Sequence, residues 1–132
     1  MAVRARAEES RNPRYHWLGE RSHPRALALL ATSHVLVLSS RLEGGANVIG
    51  EAATIGVAIA ASRIDGTIGL LGPDYPGLFP PGDAGALGEL LLRAERDASF
   101  LARLRRATKE KAPLFDPARE RSAWQRLLSE LL

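Results

Sequence analysis

Between His34 and Ser40 the chain reads His-Val-Leu-Val-Leu-Ser-Ser, a run in which apolar residues do not alternate with polar ones. Such a run predicts a strand buried on both faces, as in a parallel sheet. Val57-Ala58-Ile59-Ala60-Ala61 has the same character and predicts a second buried strand. Leu78-Phe79 is short enough for an edge strand, and the aromatic run Arg14-Tyr15-His16-Trp17-Leu18-Gly19 predicts another whose carboxyl end opens into a loop at the glycine. Helical spacing fills the intervals. Leu27, Leu30 and Ala31 follow Pro24, and Val48, Ala52 and Ile55 lie between Ala46 and Gly56. After the turn Pro80-Pro81-Gly82, Asp83 is placed to cap a long helix. Leu87, Leu90, Leu91, Ala94, Leu101 and Leu104 form its buried side, with a break near Asp97-Ala98-Ser99 and an end at Pro113.

Strands recurring about every 20 residues with helices between them predict parallel connections and the α/β class, a Rossmann-like parallel sheet with flanking helices. In such sheets ligands bind beyond the carboxyl ends of the strands, where the loops at 19–23, 39–47 and 62–67 are expected to converge. The last of these, Ser62-Arg63-Ile64-Asp65-Gly66-Thr67, reads as a polar loop before a short segment through Leu71 and the turn Gly72-Pro73-Asp74. Residues 1–12 are charged with little apolar periodicity, an arm or helix remnant. The domain is expected over 13–116. Residues 117–132 are expected to form an amphipathic helix with Trp124, Leu127, Leu128 and Leu131 on one side.

Composition narrows the classes. The 132 residues, 45% of them hydrophobic, suffice for one domain with a real core. There is no cysteine, hence no disulfide framework or thiolate metal site, and a cytoplasmic location is expected. No apolar run is long enough to span a bilayer, and Met1-Ala2-Val3-Arg4-Ala5-Arg6 lacks the apolar core of a signal peptide. The net charge of +3 is almost wholly arginine, Lys109 and Lys111 being the two lysines. These arginines are scattered among glutamates without interleaved aromatics, which argues against nucleic acid as a partner. His16, His23 and His34 fall on different elements without ligand spacing, so no metal is expected and they read as ordinary histidines. Ser39 and Ser40 lack a Gly-x-Ser-x-Gly elbow and read as strand-end serines.

The chemistry concentrates in Arg41-Leu42-Glu43-Gly44-Gly45-Ala46-Asn47-Val48-Ile49-Gly50-Glu51. Adjacent glycines at a strand-to-helix turn let the backbone approach a ligand closely, and the first N–H groups of the helix attract an anion. Glu43 and Glu51 are eight residues apart, an angular offset of roughly 80° at 3.6 residues per turn, which puts both on one side. Two carboxylates around one anion site suit a ligand with a phosphate centre and hydroxyl-bearing ends, since carboxylates repel phosphate and accept hydrogen bonds from hydroxyls. A nucleotide sugar has that layout.

Glu43-x7-Glu51 after Val-Leu-Ser-Ser, then Val57-Ala58-Ile59-Ala60-Ala61-Ser62, then Gly77-Leu78-Phe79-Pro80-Pro81-Gly82-Asp83, resembles the C-terminal donor-binding domain of GT-B glycosyltransferases of family four. Tyr15-His16-Trp17-Leu18-Gly19-Glu20, Ser40 through Val48, and Gly69-Leu70-Leu71-Gly72-Pro73-Asp74-Tyr75-Pro76-Gly77 are more narrowly similar to the selenosugar synthase branch of selenoneine biosynthesis. The resemblance spans residues 10–132 and implies a retaining transferase with a UDP-sugar as donor substrate, selenophosphate as acceptor and no separate cofactor. It assigns Glu43, as the catalytic residue of the motif, to the donor-sugar hydroxyls, and Gly44, Gly45, Ala46, Asn47 and Val48 to the diphosphate. Glu51 falls to the ribose, and Leu18 and Gly19 to part of the base pocket. The common family motif is Glu-Gly-Phe-Gly, whereas this chain has Glu43-Gly44-Gly45-Ala46 and so lacks an aromatic wall, a form the branch shares. Family members also carry an N-terminal acceptor domain and further strands whose basic residues grip the diphosphate. An incomplete C-terminal domain is therefore expected, working with a missing acceptor domain or partner chain, with Arg41 and Arg63 as local cations. The alternative is a non-catalytic nucleotide-binding or interaction module derived from a truncated glycosyltransferase.

Overall fold

The computed structural model describes residues 2–42, 46–115, 125–126 and 128–130. Helix α1 spans Ala2–Arg11 and α2 spans His23–Ala31; strand β1 (Val35–Leu38) leads to α3 (Ala46–Ile55). Strand β2 (Ala58–Ser62), helix α4 (Asp65–Leu71) and strand β3 (Leu78–Phe79) follow, then α5 (Ala84–Arg96), α6 (Ala98–Lys109) and a 3-10 turn at Ala112–Phe115. The three strands lie in the order β1-β2-β3 and every pair is parallel. This is an α/β, Rossmann-like arrangement with β3 at an edge.

Every residue of β2 is buried, as its unbroken apolar sequence requires of a central strand. Ala58, Ile59 and Ala61 of this strand belong to one core with Ile49, Ala52, Leu71, Phe100 and Leu104 of the surrounding helices. The sheet is short on one side, however, because β3 pairs with β2 only at Ala61 and Ser62. Earlier along β2, the Tyr75 hydroxyl takes the place of the absent neighbour. It accepts the N–H of Ile59 at 3.0 Å and donates to the Ile59 carbonyl at 2.7 Å. Thr108 of α6, 2.9 Å from the same hydroxyl, also donates to the Leu104 carbonyl at 2.8 Å. Gly77 then brings the chain into the ladder, its carbonyl accepting from Ala61 N–H at 2.9 Å. A β-carbon there would lie 2.2 Å from the Ile59 carbonyl oxygen, so the close approach requires glycine.

The expected break in the long helix falls at Asp97, whose extended backbone separates α5 from α6. Its carboxylate accepts from Ser99 Oγ at 2.7 Å and from the N–H groups of Ser99 and Phe100 at 3.0 and 3.1 Å. The Ser99 hydroxyl, with the Phe100 amide second, holds the carboxyl below its ordinary range. Asp83 caps α5 as expected, accepting from Ala86 N–H at 2.9 Å. Across the α5–α6 corner the Arg93 guanidinium sits 3.9 Å above the Phe100 ring centre.

Four expectations change. Residues 14–19 form no strand and join no ladder among the described residues. Tyr15 and Trp17 are half-buried while His16 and Leu18 are exposed, the alternation of a strand, yet the segment is tied to α1 instead. Trp17 N–H donates to Glu9 Oε1 at 3.2 Å, and the rings line a groove with Arg4, Ala5, Ala7, Glu8 and Arg11. Second, the loop after β2 is shorter than 62–67 because α4 starts at Asp65. Thr67 is the reason: its buried hydroxyl donates to the Ser62 carbonyl and accepts Ile64 N–H at 3.2 Å, closing the turn at once. Third, α6 ends at Lys109, ahead of Pro113, which lies in the 3-10 turn. Fourth, β1, expected to be buried on both faces, is an edge strand with no fully buried residue and Val37 39% exposed, because no strand pairs on its far side among the described residues; residues 1–12 hold a helix, one of the two expectations for them. Pro117, Trp124, Leu127 and Leu131 lie outside the described residues; residues 125–126 and 128–130 are helical. Among the described residues no helix is long and apolar enough to cross a membrane.

Replacing Tyr75 by phenylalanine leaves the Ile59 N–H and carbonyl unpartnered, and chemical denaturation should show a loss of roughly 1–3 kcal/mol. Burial pushes the Tyr75 phenol above its ordinary value, against weaker opposing effects from Thr108 and Ile59. A group whose folded value is raised contributes stability that is complete below its unfolded value, about 10 for tyrosine, and declines above it. Stability measured against pH should therefore fall above about pH 10, and fall less steeply in Tyr75→Phe. Thr67→Val, which keeps shape and removes the hydroxyl, should likewise cost roughly 1–3 kcal/mol in the same denaturation assay.

Candidate functional site

The carboxyl ends of β1 and β2 lie side by side, with Leu38 opposite Ala61. Ser62 Oγ donates to the Leu38 carbonyl at 3.3 Å, fastening the two strand ends where the chain leaves them. Because the strands are parallel, α3, α4 and α5 each begin at this edge, following β1, β2 and β3. Helix α2, which precedes β1, starts there as well. The edge thus collects the start of α2, the turn into α3 and the loop after β2.

Glu43, Gly44 and Gly45 lie outside the described residues. Ala46 is the first residue of α3, and helix geometry leaves the N–H groups of Ala46, Asn47 and Val48 without intrahelical acceptors. Asn47 is exposed and Val48 half-buried, whereas Ile49, Ala52 and Ala53 anchor the helix in the core. Glu51, four residues after Asn47 on the same side, is half-buried. Its Oε1 lies 3.5 Å from Nε2 of His23, the first residue of α2. The structure thereby joins the 19–23 segment to α3. Leu18 is 43% exposed, and Gly19 turns the chain at φ +65° with open space around its α-carbon.

The two candidate arginines separate. Arg63 donates to the Pro73 carbonyl at 3.2 Å, so its guanidinium is engaged with the chain that leaves α4. Arg41 stays at the edge and lies against Gly82, where a β-carbon would stand 3.0 Å from Nη2. Gly82 has φ +77°, so its turn and its lack of a side chain together admit the guanidinium. Arg41, Ser39, Phe79, Asp83, Ala84 and Leu87 complete the walls of a cleft of about 330 Å³ between the end of β1 and the start of α5.

Sequence reasoning placed Glu51 and the α3 start at the strand-end edge and did not anticipate the contact of Glu51 with His23, which it read as an ordinary histidine. Nothing in the local sequence pairs His23 with Glu51, because their proximity arises from the packing of α2 against α3. Among the described residues no group of three or more histidines and carboxylates is arranged to hold a metal ion.

This geometry, a parallel sheet with helix starts and an acid at its carboxyl edge, suits an anionic ligand bearing hydroxyls. A search of curated proteins finds no match to the chain. The family model described as "Glycosyl transferases group 1" matches residues 3–112, which include all three strands and the start of α3. The chain belongs to the glycosyl transferases group 1 family.

Proposed function

We propose that the chain forms the donor-binding part of a nucleotide-sugar-dependent glycosyltransferase, with a UDP-sugar lying across the carboxyl ends of β1 and β2. In this reading the diphosphate rests on the amides of Ala46, Asn47 and Val48, with the glycines Gly44 and Gly45 before them. Glu51 accepts hydrogen bonds from the ribose, Glu43 meets the donor sugar, and Leu18 and Gly19 border the base. The narrower resemblance to selenosugar synthases supports selenophosphate as acceptor and a retaining outcome. A partner acceptor domain belongs to the same proposal.

The observation that carries the reading is the half-buried Glu51 carboxylate at the helix-start edge, in contact with an imidazole and with no arginine or lysine among the described residues. A carboxylate already clamped by a guanidinium would have fewer lone pairs for a sugar; this one keeps them for hydroxyl donors. As the bond from the anomeric carbon to the UDP oxygen breaks, its electron pair leaves with the diphosphate while the acceptor bonds to that carbon. The charge that grows on the leaving group meets the fixed positive end of α3, a dipole contribution of about 0.3–2 kcal/mol before hydrogen bonds are added. Of the two arginines Arg41 is the candidate to share this task, Arg63 being engaged with the Pro73 carbonyl.

Titration with UDP-sugars tests the proposal. Glu51→Ala should weaken UDP binding by roughly 1–3 kcal/mol, the usual loss when a hydrogen-bond partner is removed from a bound polar group. Equal affinity of the two proteins would remove Glu51 from the site.

A further inference from the structure

The contact between His23 and Glu51 joins two elements at the point where the donor reading needs an ordered acid. The imidazole is 69% exposed and the carboxylate 29%, so His23 stands on the solvent side of Glu51. Its backbone is fixed by position: it opens α2, after Ser22 and directly before Pro24. Glu51 is fixed at its base by α3, whose neighbouring residues Ala52 and Ala53 are wholly buried, but its side chain has several rotatable bonds of its own. A glutamate left to rotate would have to be ordered each time a ligand binds. An imidazole standing 3.5 Å from Oε1 narrows the range of that motion on its own side.

We propose that His23 is a positioning residue for the ribose end of the donor: it holds Oε1 of Glu51 so that the remaining lone pairs face the vicinal hydroxyls of a nucleoside diphosphate. This rests on the reading of Glu51 as the hydroxyl-binding acid. His23 itself does not touch the ligand; it acts through Glu51, and so sets how well the site distinguishes a ribose from a sugar without hydroxyls.

The test is calorimetric titration of the full chain with UDP and with 2′,3′-dideoxy-UDP, comparing wild type, His23→Ala and His23→Gln. The wild type should prefer UDP, and His23→Ala should reduce that preference about two- to fivefold, the equilibrium equivalent of losing one modest polar contact. Glutamine can place an N–H near the position of Nε2, and His23→Gln should restore the preference. A general structural defect would weaken both nucleotides together and leave their ratio unchanged. If the wild type binds UDP and its dideoxy analogue equally, or binds neither, the donor reading fails and this inference with it. If the wild type discriminates and His23→Ala discriminates just as well, or if both variants lose discrimination alike, the positioning role fails while the donor reading stands.

Discussion

One phenolic hydroxyl governs how this sheet is completed. Strand β2 needs partners on both sides, and β3 reaches only its last two residues. Tyr75 supplies an acceptor and a donor to Ile59 where a third strand would otherwise supply them, and Thr108 links that junction to α6. The arrangement is costly to alter because a buried peptide group without a partner loses its hydration with nothing in return. With Ile59 satisfied, Gly77 can pass close to the strand and bring Leu78 and Phe79 into register. The carboxyl edge of the sheet, and every residue placed on it, depends on that register.

Above this base, the site is assembled from groups that are each fixed by something other than a ligand. Ser62 fastens the ends of β1 and β2, Thr67 turns the chain sharply into α4, and Gly82 makes room for the Arg41 guanidinium. Glu51 stands on a helix whose opposite side is buried in the core. The half-buried acid therefore owes its place to Ile49, Ala52 and Ala53 as much as to the residues around it. Membership of the glycosyl transferases group 1 family gives this edge its chemical context.

The elements that could be read from the sequence were those whose signal is local. The unbroken apolar runs at 34–40 and 57–61 lie over β1 and β2, and Asp83 and the break at Asp97 are legible because a cap acts within three residues of itself. The failures have a common cause. Residues 14–19 carry the alternation and aromatic content of a strand, but pairing is a property of the partner, and the segment is held by Glu9 of α1 instead. The short helix α4 was hidden because the Thr67 hydroxyl satisfies the Ser62 carbonyl across a turn that composition alone marks only as polar. The contact between His23 and Glu51 was not legible for the same reason on a larger scale: it is set by the docking of α2 on α3. The Glu51 position was legible since helical periodicity fixes its side relative to Asn47 without reference to any other element.

The parallel course of the strands has an effect that no single residue carries. Since α2, α3, α4 and α5 all start at one edge, their peptide dipoles point the same way and their positive ends accumulate there. That edge of the sheet carries a partial positive charge of its own, independently of the scattered arginines. An approaching anion would feel this field before any contact forms and would turn its charged portion toward the strand tips, an orienting influence that grows as ionic strength is lowered.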